Sequence, residues 1–327
     1  MKLLKHSMIK PIKLNMNKPL KLLTLSVVLI GSIFTSYSQN RKVAITIDDL
    51  LATPADENEY EYITDNLLKT LTKNDIKAIG FVNESRLYTN DNPDSTKIKI
   101  LEKWMKSDMQ LGNHTFSHVY INNTSIEDYK KDVIKGELIT RPLLEKYNTE
   151  LKYFRHPQLR TGPTDEYRSE LTSFLKNRGY TVAPVTIDND EYIHAFCYAN
   201  AKREGKTALM DKIGKDYIDY MTSVFDFYEK LSVSFLGYEV PQTLLIHANN
   251  LNADYLDELV AMMTSRNYEF ISMDEALKDK AYKMPEGTHS RGPSWIQRWM
   301  IAKGQEPESH PPVSKFIDEL YQKYRNQ

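Results

Sequence analysis

The 327-residue chain contains a single cysteine, Cys197. One cysteine excludes an internal disulfide, so stability has to come from the hydrophobic core and from any metal that the protein binds. Cys197 stands in the apolar and aromatic stretch 194–198, which favours a buried small side chain over a catalytic thiol. Residues 1–38 contain no cysteine, which excludes lipid attachment at a cysteine after cleavage of that segment.

Long apolar runs are also missing near the N-terminus. The apolar stretch 22–34 is shorter than the ~20 residues that a transmembrane helix needs. It follows a lysine-rich flank and precedes Ser36-Tyr37-Ser38, which offers small residues at the two positions that a signal peptidase reads. We predict that residues 1–38 are a signal peptide and that the protein is exported, periplasmic or secreted, with no stable membrane insertion after cleavage. An uncleaved membrane anchor is the alternative, and Met16 is an alternative start.

Acidic residues are absent from residues 1–38, which carry six lysines, so the remainder has 37 basic and 44 acidic side chains. This net negative charge excludes a general electrostatic attraction for nucleic acid or for anionic membranes. A neutral or cationic partner is favoured. Hydrophobic residues make up 41% of the chain and charged residues 27%, which is typical of a globular protein with ample core.

Beyond residue 40, short apolar runs alternate with longer amphipathic segments. The predicted strands are 43–47, 77–82, 109–112, 152–154, 181–185, 243–247 and 268–271. Helices are predicted at 60–71, 96–106, 125–146, 165–178, 197–233 and 252–265, with a short one from 273. This alternation predicts an α/β fold, a distorted (β/α) barrel of about seven strands with helices outside. We place this domain at 39–283, and we predict that residues 284–327 form a C-terminal helical extension packed on the barrel.

Titratable or cationic side chains follow five of the predicted strands. In chain order they are Asp48 and Asp49, His114, Arg155, the segment 188–191, and His247. In α/β barrels the C-terminal ends of the strands gather on one face, where active sites are built. The pattern therefore predicts one site that collects these groups.

His114 and His118 are four residues apart in the sequence His-Thr-Phe-Ser-His. Two imidazoles at this spacing can converge on one cation, and a carboxylate of the Asp48-Asp49 pair can complete a three-ligand site. Three protein ligands leave one coordination position for water, which is typical of a catalytic zinc site.

From about residue 41 to 280 the chain resembles the polysaccharide deacetylases with the NodB homology domain, carbohydrate esterase family 4. Five motifs carry the resemblance. Thr-Ile-Asp-Asp (46–49) is similar to Thr-Phe-Asp-Asp-Gly, and His-Thr-Phe-Ser-His (114–118) fits His-Ser/Thr-x-x-His without departure. Phe-Arg-His-Pro-Gln (154–158) is similar to Arg-x-Pro-aromatic, Asp-Asn-Asp-Glu-Tyr (188–192) to Asp-x-x-Asp-Trp, and Leu-Leu-Ile-His (244–247) to Leu-x-x-His. The resemblance implies a NodB-like barrel.

The resemblance also implies roles for the first three motifs. Asp49, His114 and His118 would hold a divalent metal, and two nitrogens with one oxygen favour zinc. Asp48 would take a proton from water as the general base. Arg155 would pair with Asp48, fix its orientation and keep it ionised.

The resemblance further implies that the last two motifs supply the acid and its partner, and that the third motif also supplies an oxyanion donor. His247, protonated, would give a proton to the departing amine, which is a very poor leaving group otherwise. A carboxylate has to orient His247, and Glu191 is favoured over Asp188 as that partner. The backbone N–H of Gln158 would stabilise the oxyanion.

Three residues depart from the family pattern. Leu50 replaces the glycine of the first motif, which predicts an altered backbone beside the metal. Gln158 replaces an aromatic residue and Tyr192 replaces a tryptophan, and both changes alter the walls of the sugar cleft. We predict substrate contacts from Gln158, Tyr192, Asp188 and Trp295.

These residues together predict a zinc-dependent hydrolase that removes N-acetyl or O-acetyl groups from an acetylated glycan. No cofactor other than the metal is predicted. Two alternatives stay open: hydrolysis of another C–N or ester bond by the same groups, and a catalytically silent carbohydrate-binding protein that kept the fold.

Overall fold

A computed structural model describes residues 41–287, 289 and 291–327. The strands within these residues are β1 (Arg41–Leu50), β2 (Ile79–Val82), β3 (Tyr88–Thr89), β4 (Asn92–Pro93), β5 (Gln110–Asn113), β6 (Tyr153–Phe154), β7 (Thr181–Val182), β8 (Gln242–His247) and β9 (Tyr268–Phe270). The helices are α1 (Tyr60–Lys73), α2 (Ser95–Lys106), α3 (Ile126–Lys135), α4 (Thr140–Lys146), α5 (Asp165–Asn177), α6 (Glu191–Arg203), α7 (Thr207–Leu236), α8 (Asn250–Ser265), α9 (Met273–Ala276), α10 (Trp295–Ala302) and α11 (Lys315–Arg325).

Seven of the strands form one parallel sheet in the order β7-β6-β5-β2-β1-β8, with β9 also paired to β1. The segment after β7 pairs with β8 through a parallel bridge between Ile187 and Leu244, so the sheet curls toward itself. This architecture confirms the predicted distorted (β/α) barrel of about seven strands with C-terminal helices. The strands predicted from the sequence did not include β3 and β4, which form a short antiparallel hairpin.

Strand β1 forms the centre of the sheet because it pairs with β2, β8 and β9. Its residues 43–50 are all buried, as expected for a strand of a parallel sheet whose two faces are covered. The register places Asp48 opposite His247 at the C-terminal ends of β1 and β8. Residues almost 200 positions apart in the chain are therefore neighbours.

The predicted helix 125–146 is divided into α3 and α4. The buried carboxylate of Glu84 accepts hydrogen bonds from the backbone N–H groups of Ile139 and Thr140, at 2.7 and 3.0 Å. These N–H groups begin α4 and have no partner within that helix, so a carboxylate at this end stabilises a new helix start.

The predicted helix 197–233 begins earlier, at Glu191, and is also divided. Gly205, with φ of 67°, lies in the break between α6 and α7, a left-handed conformation that glycine adopts without steric cost. The early start matters for the site because it makes Glu191 the first residue of α6.

The C-terminal residues pack through α10 and α11. Trp299 of α10 and Ile317 of α11 are fully buried, and α11 lies against α6. Cys197 is buried as predicted, and burial raises the pKa of its thiol to about 12. The predicted signal peptide, residues 1–38, lies outside the described residues. No helix in the described part of the chain has the length and hydropathy required to cross a membrane.

Candidate active site

A cavity of about 530 Å³ lies where the C-terminal ends of β1, β5 and β8 meet. Asp48 and Asp49 of β1, His114 and His118 after β5, and His247 of β8 line it. Because parallel strands end at the same edge of a sheet, side chains from distant segments converge here.

Asp49, His114 and His118 bring three ligand atoms together. The Nε2 atoms of His114 and His118 lie 3.5 and 3.6 Å from Asp49 Oδ1, and the three ligand atoms are within 4.8 Å of one another. Ligand atoms bound to one tetrahedral zinc at its usual bond lengths are about 3.3 Å apart. Asp49 Oδ1 is buried without a hydrogen-bond partner among the described residues, and a cation would satisfy it. The group therefore fits a small divalent ion.

Hydrogen bonds behind the two imidazoles direct their Nε2 atoms toward Asp49. His114 Nδ1 donates to the backbone carbonyl of Arg155 at 2.8 Å, which leaves the lone pair of Nε2 for a metal. His118 Nδ1 lies 3.0 Å from the carboxamide nitrogen of Gln158. A half-turn of that carboxamide presents its oxygen to Nδ1–H instead, and His118 then also offers Nε2 as a ligand.

The backbone around the histidines adopts uncommon conformations. Asp49, Thr115 and His118 have φ of 64°, 67° and 53°, a left-handed region that residues other than glycine rarely occupy. Side chains of the same loop stabilise it: Asn113 Oδ1 accepts from Thr115 N–H at 2.7 Å, and Thr115 Oγ1 accepts from His118 N–H at 3.1 Å. These bonds hold the two imidazoles toward one point.

Asp48 lies beside the three ligands and contacts Arg155. Arg155 is fully buried, and its Nη1 lies 3.4 Å from Asp48 Oδ2. Its Nη2 donates to Thr46 Oγ1 at 2.9 Å, and that hydroxyl donates to the carbonyl of Leu244 at 2.7 Å. The guanidinium is thereby anchored to β1 and β8 while it faces Asp48.

The two adjacent aspartates have opposite pKa shifts. Burial raises the pKa of Asp48 to about 6, although the charge of Arg155 opposes it. Burial acts in the same direction on Asp49, but the imidazoles of His118 and His114 outweigh it and hold its pKa below the ordinary value. Burial also lowers the pKa of both imidazoles, which favours the neutral form that binds metals. Asp49 is suited to be an anionic ligand, and Asp48 to take up a proton near neutral pH.

His247 contacts Glu191 on the far side of β1. Its Nδ1 lies 2.8 Å from Glu191 Oε2, and Glu191 is fully buried. Burial lowers the pKa of His247, but the charge and hydrogen bond of Glu191 outweigh it and raise that pKa to about 9. Glu191 Oε1 accepts from Nδ2 of both Asn249 and Asn252, each at 2.6 Å. His247 is therefore protonated at neutral pH and lines the cavity.

Asn249 and Asn252 were not singled out from the sequence. Asn249 is the N-cap of α8, and its Oδ1 accepts from the backbone N–H of Asn252 at 2.9 Å. The sequence Asn-Asn-Leu-Asn at the start of a predicted helix is the signal that could have identified this cap. Their contact with Glu191 is tertiary, and no local pattern indicates it.

Among the residues predicted to bind substrate, Gln158, Asp188 and Tyr192 line the cavity, and Tyr192 is 49% exposed. Burial raises the pKa of Asp188 to about 6. Trp295 does not line it. Only 4% of Trp295 is exposed, and its indole N–H donates to Glu286 Oε1 at 2.9 Å. This packing corrects the prediction for Trp295, because a buried ring cannot stack on a sugar.

Leu50, which replaces the family glycine, is fully buried beside the site. A Cβ atom added at Gly80 of the neighbouring strand β2 would lie 2.3 Å from Leu50 Cδ1. The side chain of Leu50 therefore fills the space that is open because Gly80 has no side chain.

Residues 36–183 match the family model described as polysaccharide deacetylase. No curated protein matches the sequence. Several solved structures are similar at low identity. The peptidoglycan deacetylase PdaC from Bacillus subtilis is 21% identical, with 75% of this chain and 96% of that one covered and a TM-score of 0.46. A family 4 acetyl xylan esterase from Clostridium thermocellum, in complex with cobalt, is 18% identical, with 73% and 91% covered and a TM-score of 0.44.

A third similar structure, BA3943 from Bacillus anthracis, is described as a CE4 family pseudoenzyme; it is 14% identical, with 73% of this chain and 66% of that one covered and a TM-score of 0.44. The matched family segment of the present chain contains Asp48, Asp49, His114, His118 and Arg155. The match to the polysaccharide deacetylase model is therefore a match to the segment that carries these five residues.

Proposed function

We propose that the protein is a metal-dependent hydrolase that removes N-acetyl or O-acetyl groups from a polysaccharide or oligosaccharide. One observation carries the proposal. Three side chains placed so that they could hold one metal ion, a carboxylate whose pKa lies near neutral pH, and a histidine paired with a buried glutamate all line one cavity. These are the groups that metal-assisted hydrolysis of an acyl bond requires.

Asp49, His114 and His118 would hold the ion, and their donor set favours zinc. Zinc at such a site supplies a Lewis acid and lowers the pKa of a bound water to about 7. The chain supplies neutral imidazoles and an ionised carboxylate for this ion.

Asp48 acts as the general base. Its raised pKa allows Oδ1 or Oδ2 to accept the proton of the attacking water near neutral pH. Arg155 keeps the carboxylate in place and remains charged when Asp48 becomes neutral. The hydrogen bond from Arg155 Nη2 to Thr46 Oγ1 helps to hold the guanidinium in place when Asp48 loses its charge.

His247 acts as the general acid. As the bond between the acetyl carbon and the sugar nitrogen or oxygen breaks, its Nε2–H protonates the leaving atom, and Glu191 stabilises the imidazolium before that step. The backbone N–H of Gln158 serves as the oxyanion donor. Gln158 lines the cavity, and its φ of 50° is a left-handed backbone conformation.

The charge of the chain beyond residue 38, with 37 basic and 44 acidic side chains, favours a neutral or cationic glycan. In the cavity, a divalent ion with Arg160 and His247 would balance the four carboxylates of Asp48, Asp49, Asp188 and Asp190, which suits a neutral substrate. The exposed ring of Tyr192 is suited to stack on a sugar. We expect neutral acetylated substrates, such as chitin oligomers or acetylated xylan, to be better than an anionic capsular polymer.

We also propose that residues 1–38 direct export and are removed. N-terminal sequencing of protein recovered from the periplasm or medium tests this. Cleavage after Ser38 supports it, and an intact N-terminus in the membrane fraction shows that the segment is an anchor instead.

Two measurements test the enzymatic proposal. Metal analysis should find about one zinc per chain, and acetate release from a panel of acetylated glycans should identify the substrate. Asp48→Asn should retain the metal and lower kcat by roughly 10²–10⁴-fold, the usual contribution of a general base. Asp108→Asn, a change at an exposed carboxylate paired with Lys77, is the control and should have full activity.

The same experiments separate the alternatives. Turnover of other amides or esters, without acetate release from any glycan, identifies a different acyl hydrolase. Glycan binding by metal-loaded protein without turnover of any acyl substrate identifies a carbohydrate-binding protein. Full activity of Asp48→Asn would show that the base is another group.

A further inference from the structure

The turn of residues 157–159 has an unusual backbone. Gln158 and Leu159 are consecutive and have φ of 50° and 55°. Two successive left-handed residues, neither of them glycine, are costly and persist only where the surroundings hold them. Within the turn, Leu159 N–H donates to the His156 carbonyl at 3.0 Å and Arg160 N–H to the Pro157 carbonyl at 3.1 Å.

Further contacts to this turn come from the C-terminal segment, residues 284–327. Arg298 Nη2 donates a hydrogen bond to the carbonyl of Leu159. Gly292 packs against the carbonyl of Gln158, the residue before Leu159. A Cβ atom added at Gly292 would lie 2.1 Å from that oxygen. Two consecutive carbonyls of the turn are therefore contacted by residues more than 130 positions later in the chain.

Arg298 is itself held rigidly. Its side chain is fully buried, its Nε donates to the Pro293 carbonyl at 2.9 Å, and its Nη1 to Glu286 Oε2 at 3.2 Å. The guanidinium lies 3.9 Å from the centroid of a Trp295 ring. Burying an arginine is costly unless its donors are paired and its charge is compensated. All three guanidinium nitrogens have acceptors here, which fixes the direction of the bond to Leu159.

We propose that Arg298 is a positioning residue for the hydrolase, holding the 157–159 turn so that the Gln158 backbone N–H faces the reacting carbonyl. The C-terminal segment is then part of the active site although it lies outside the matched family segment. The inference rests on the proposed function. It also explains the burial of Trp295, which packs on Arg298 and bonds Glu286 instead of contacting substrate.

The consequence for catalysis follows from the position of the donor. An oxyanion donor contributes roughly 10²–10³-fold to kcat, and a displacement of about 1 Å can cost 10²-fold. Relaxation of the turn should therefore lower kcat and leave substrate binding largely unchanged. If Arg298 only stabilised the fold, its replacement would lower the melting temperature without a selective loss of kcat.

The test compares Arg298→Met, Arg298→Lys and Gly292→Ala with wild type by kcat, KM, metal content and melting temperature. We expect Arg298→Met to lower kcat by about 10–100-fold with KM little changed and one metal per chain. Arg298→Lys keeps the charge and can reach one or two of the acceptors, so its loss should be smaller. Arg298→Met with kcat within about twofold of wild type would overturn the proposal.

Gly292→Ala keeps the proposal testable if Arg298→Met does not fold. Its added methyl group presses on the Gln158 carbonyl, so kcat should fall with metal content unchanged. Gly214→Ala is the matched control, because its methyl group would lie 1.9 Å from the ring of Tyr255 and the contacts nearest to it are all with that ring. Equal losses of kcat in both alanine variants would show general destabilisation and overturn the proposal. An inactive wild-type enzyme would instead refute the proposed function.

Discussion

Replacing Glu191 by glutamine removes the negative charge that keeps His247 protonated while changing the size of the side chain little. Three donors converge on this carboxylate: His247 Nδ1 on one oxygen, and the Nδ2 groups of Asn249 and Asn252 on the other. A glutamine has only one oxygen, so its amide N–H₂ has to face one of these donors. The substitution therefore affects both the charge and the hydrogen bonds of His247.

The size of the effect follows from the pKa of His247. Glu191 raises that pKa to about 9 against the effect of burial. Without the charge, burial should bring the pKa to the ordinary value of ~6.5 or lower, a change of about 2.5 units or ~3 kcal/mol. At pH 8 the protonated fraction falls from about 0.9 to about 0.03, so the rate should drop roughly 30-fold.

The sign of the pH dependence is determined by the role of His247 as an acid. The protonated form is active, so activity is lost as the pH rises through its pKa. In Glu191→Gln the alkaline limb of the kcat profile should move to lower pH by about 2.5 pH units. A bound cation lowers the pKa of His247 in both proteins, so the difference between them is the quantity to measure.

Two assays measure this difference. The first is the pH profile of acetate release, and the second is NMR titration of the His247 imidazole in metal-free protein. Asp216→Asn is a matched control, because Asp216 Oδ1 lies 3.0 Å from Nε2 of His194, an imidazole that does not line the cavity. In Asp216→Asn the alkaline limb of the kcat profile should remain at the wild-type pH. If Glu191→Gln lowers the plateau without moving the limb, His247 is not the acid and the reasoning fails.

Four further outcomes are expected. His114→Ala should abolish zinc binding in equilibrium dialysis, since it removes a ligand. Gln158→Leu should weaken zinc binding by about 10–100-fold, because His118 loses its outer hydrogen bond, and dialysis measures this without any assay of activity. Leu50→Ala should lower the free energy of unfolding by about 2–5 kcal/mol in denaturant titrations, because the space beside Gly80 is left unfilled. Cys197 should resist thiol reagents until the protein unfolds, because burial raises its pKa to about 12.

Much of the site could be predicted because the end of each strand can be identified from a short stretch of sequence, and the ends of parallel strands lie together. The apolar run before Asp48 and the one that ends at His247 each indicate a buried strand, and parallel strands end at one edge. The presence of Asp48 and His247 at the same edge follows from this rule, whereas their position opposite each other depends on the register of β1 and β8. The division of the helix at 125–146 could not be predicted, since Glu84, which caps α4, belongs to a distant segment.

Trp295 and Arg298 show the same limit in the C-terminal segment. A tryptophan in a turn-rich stretch can contact a sugar or pack on a buried cation, and its local sequence is the same in both cases. The burial of Trp295 against the Arg298 guanidinium decides between them, and Arg298 is itself bonded to Leu159, 139 positions away in the chain. Contacts of this kind leave no periodic pattern in a single sequence.

Several residues around the cavity have a left-handed backbone conformation that their side chains do not lead one to expect from the sequence. Among the described residues, eleven other than glycine have positive φ. Six of them are aspartates or asparagines in turns, where these residues tolerate a left-handed backbone: Asp75, Asn90, Asp91, Asp108, Asn148 and Asn267. The other five all lie in segments that form the site: Asp49, Thr115, His118, Gln158 and Leu159. Glycine would relieve the strain at Asp49 and His118, but it would remove the metal ligands. The strained conformations therefore occur where side chains are required for chemistry. Hydrogen bonds accepted by Asn113 Oδ1 and Thr115 Oγ1, and one donated by Arg298, stabilise the loops that contain them.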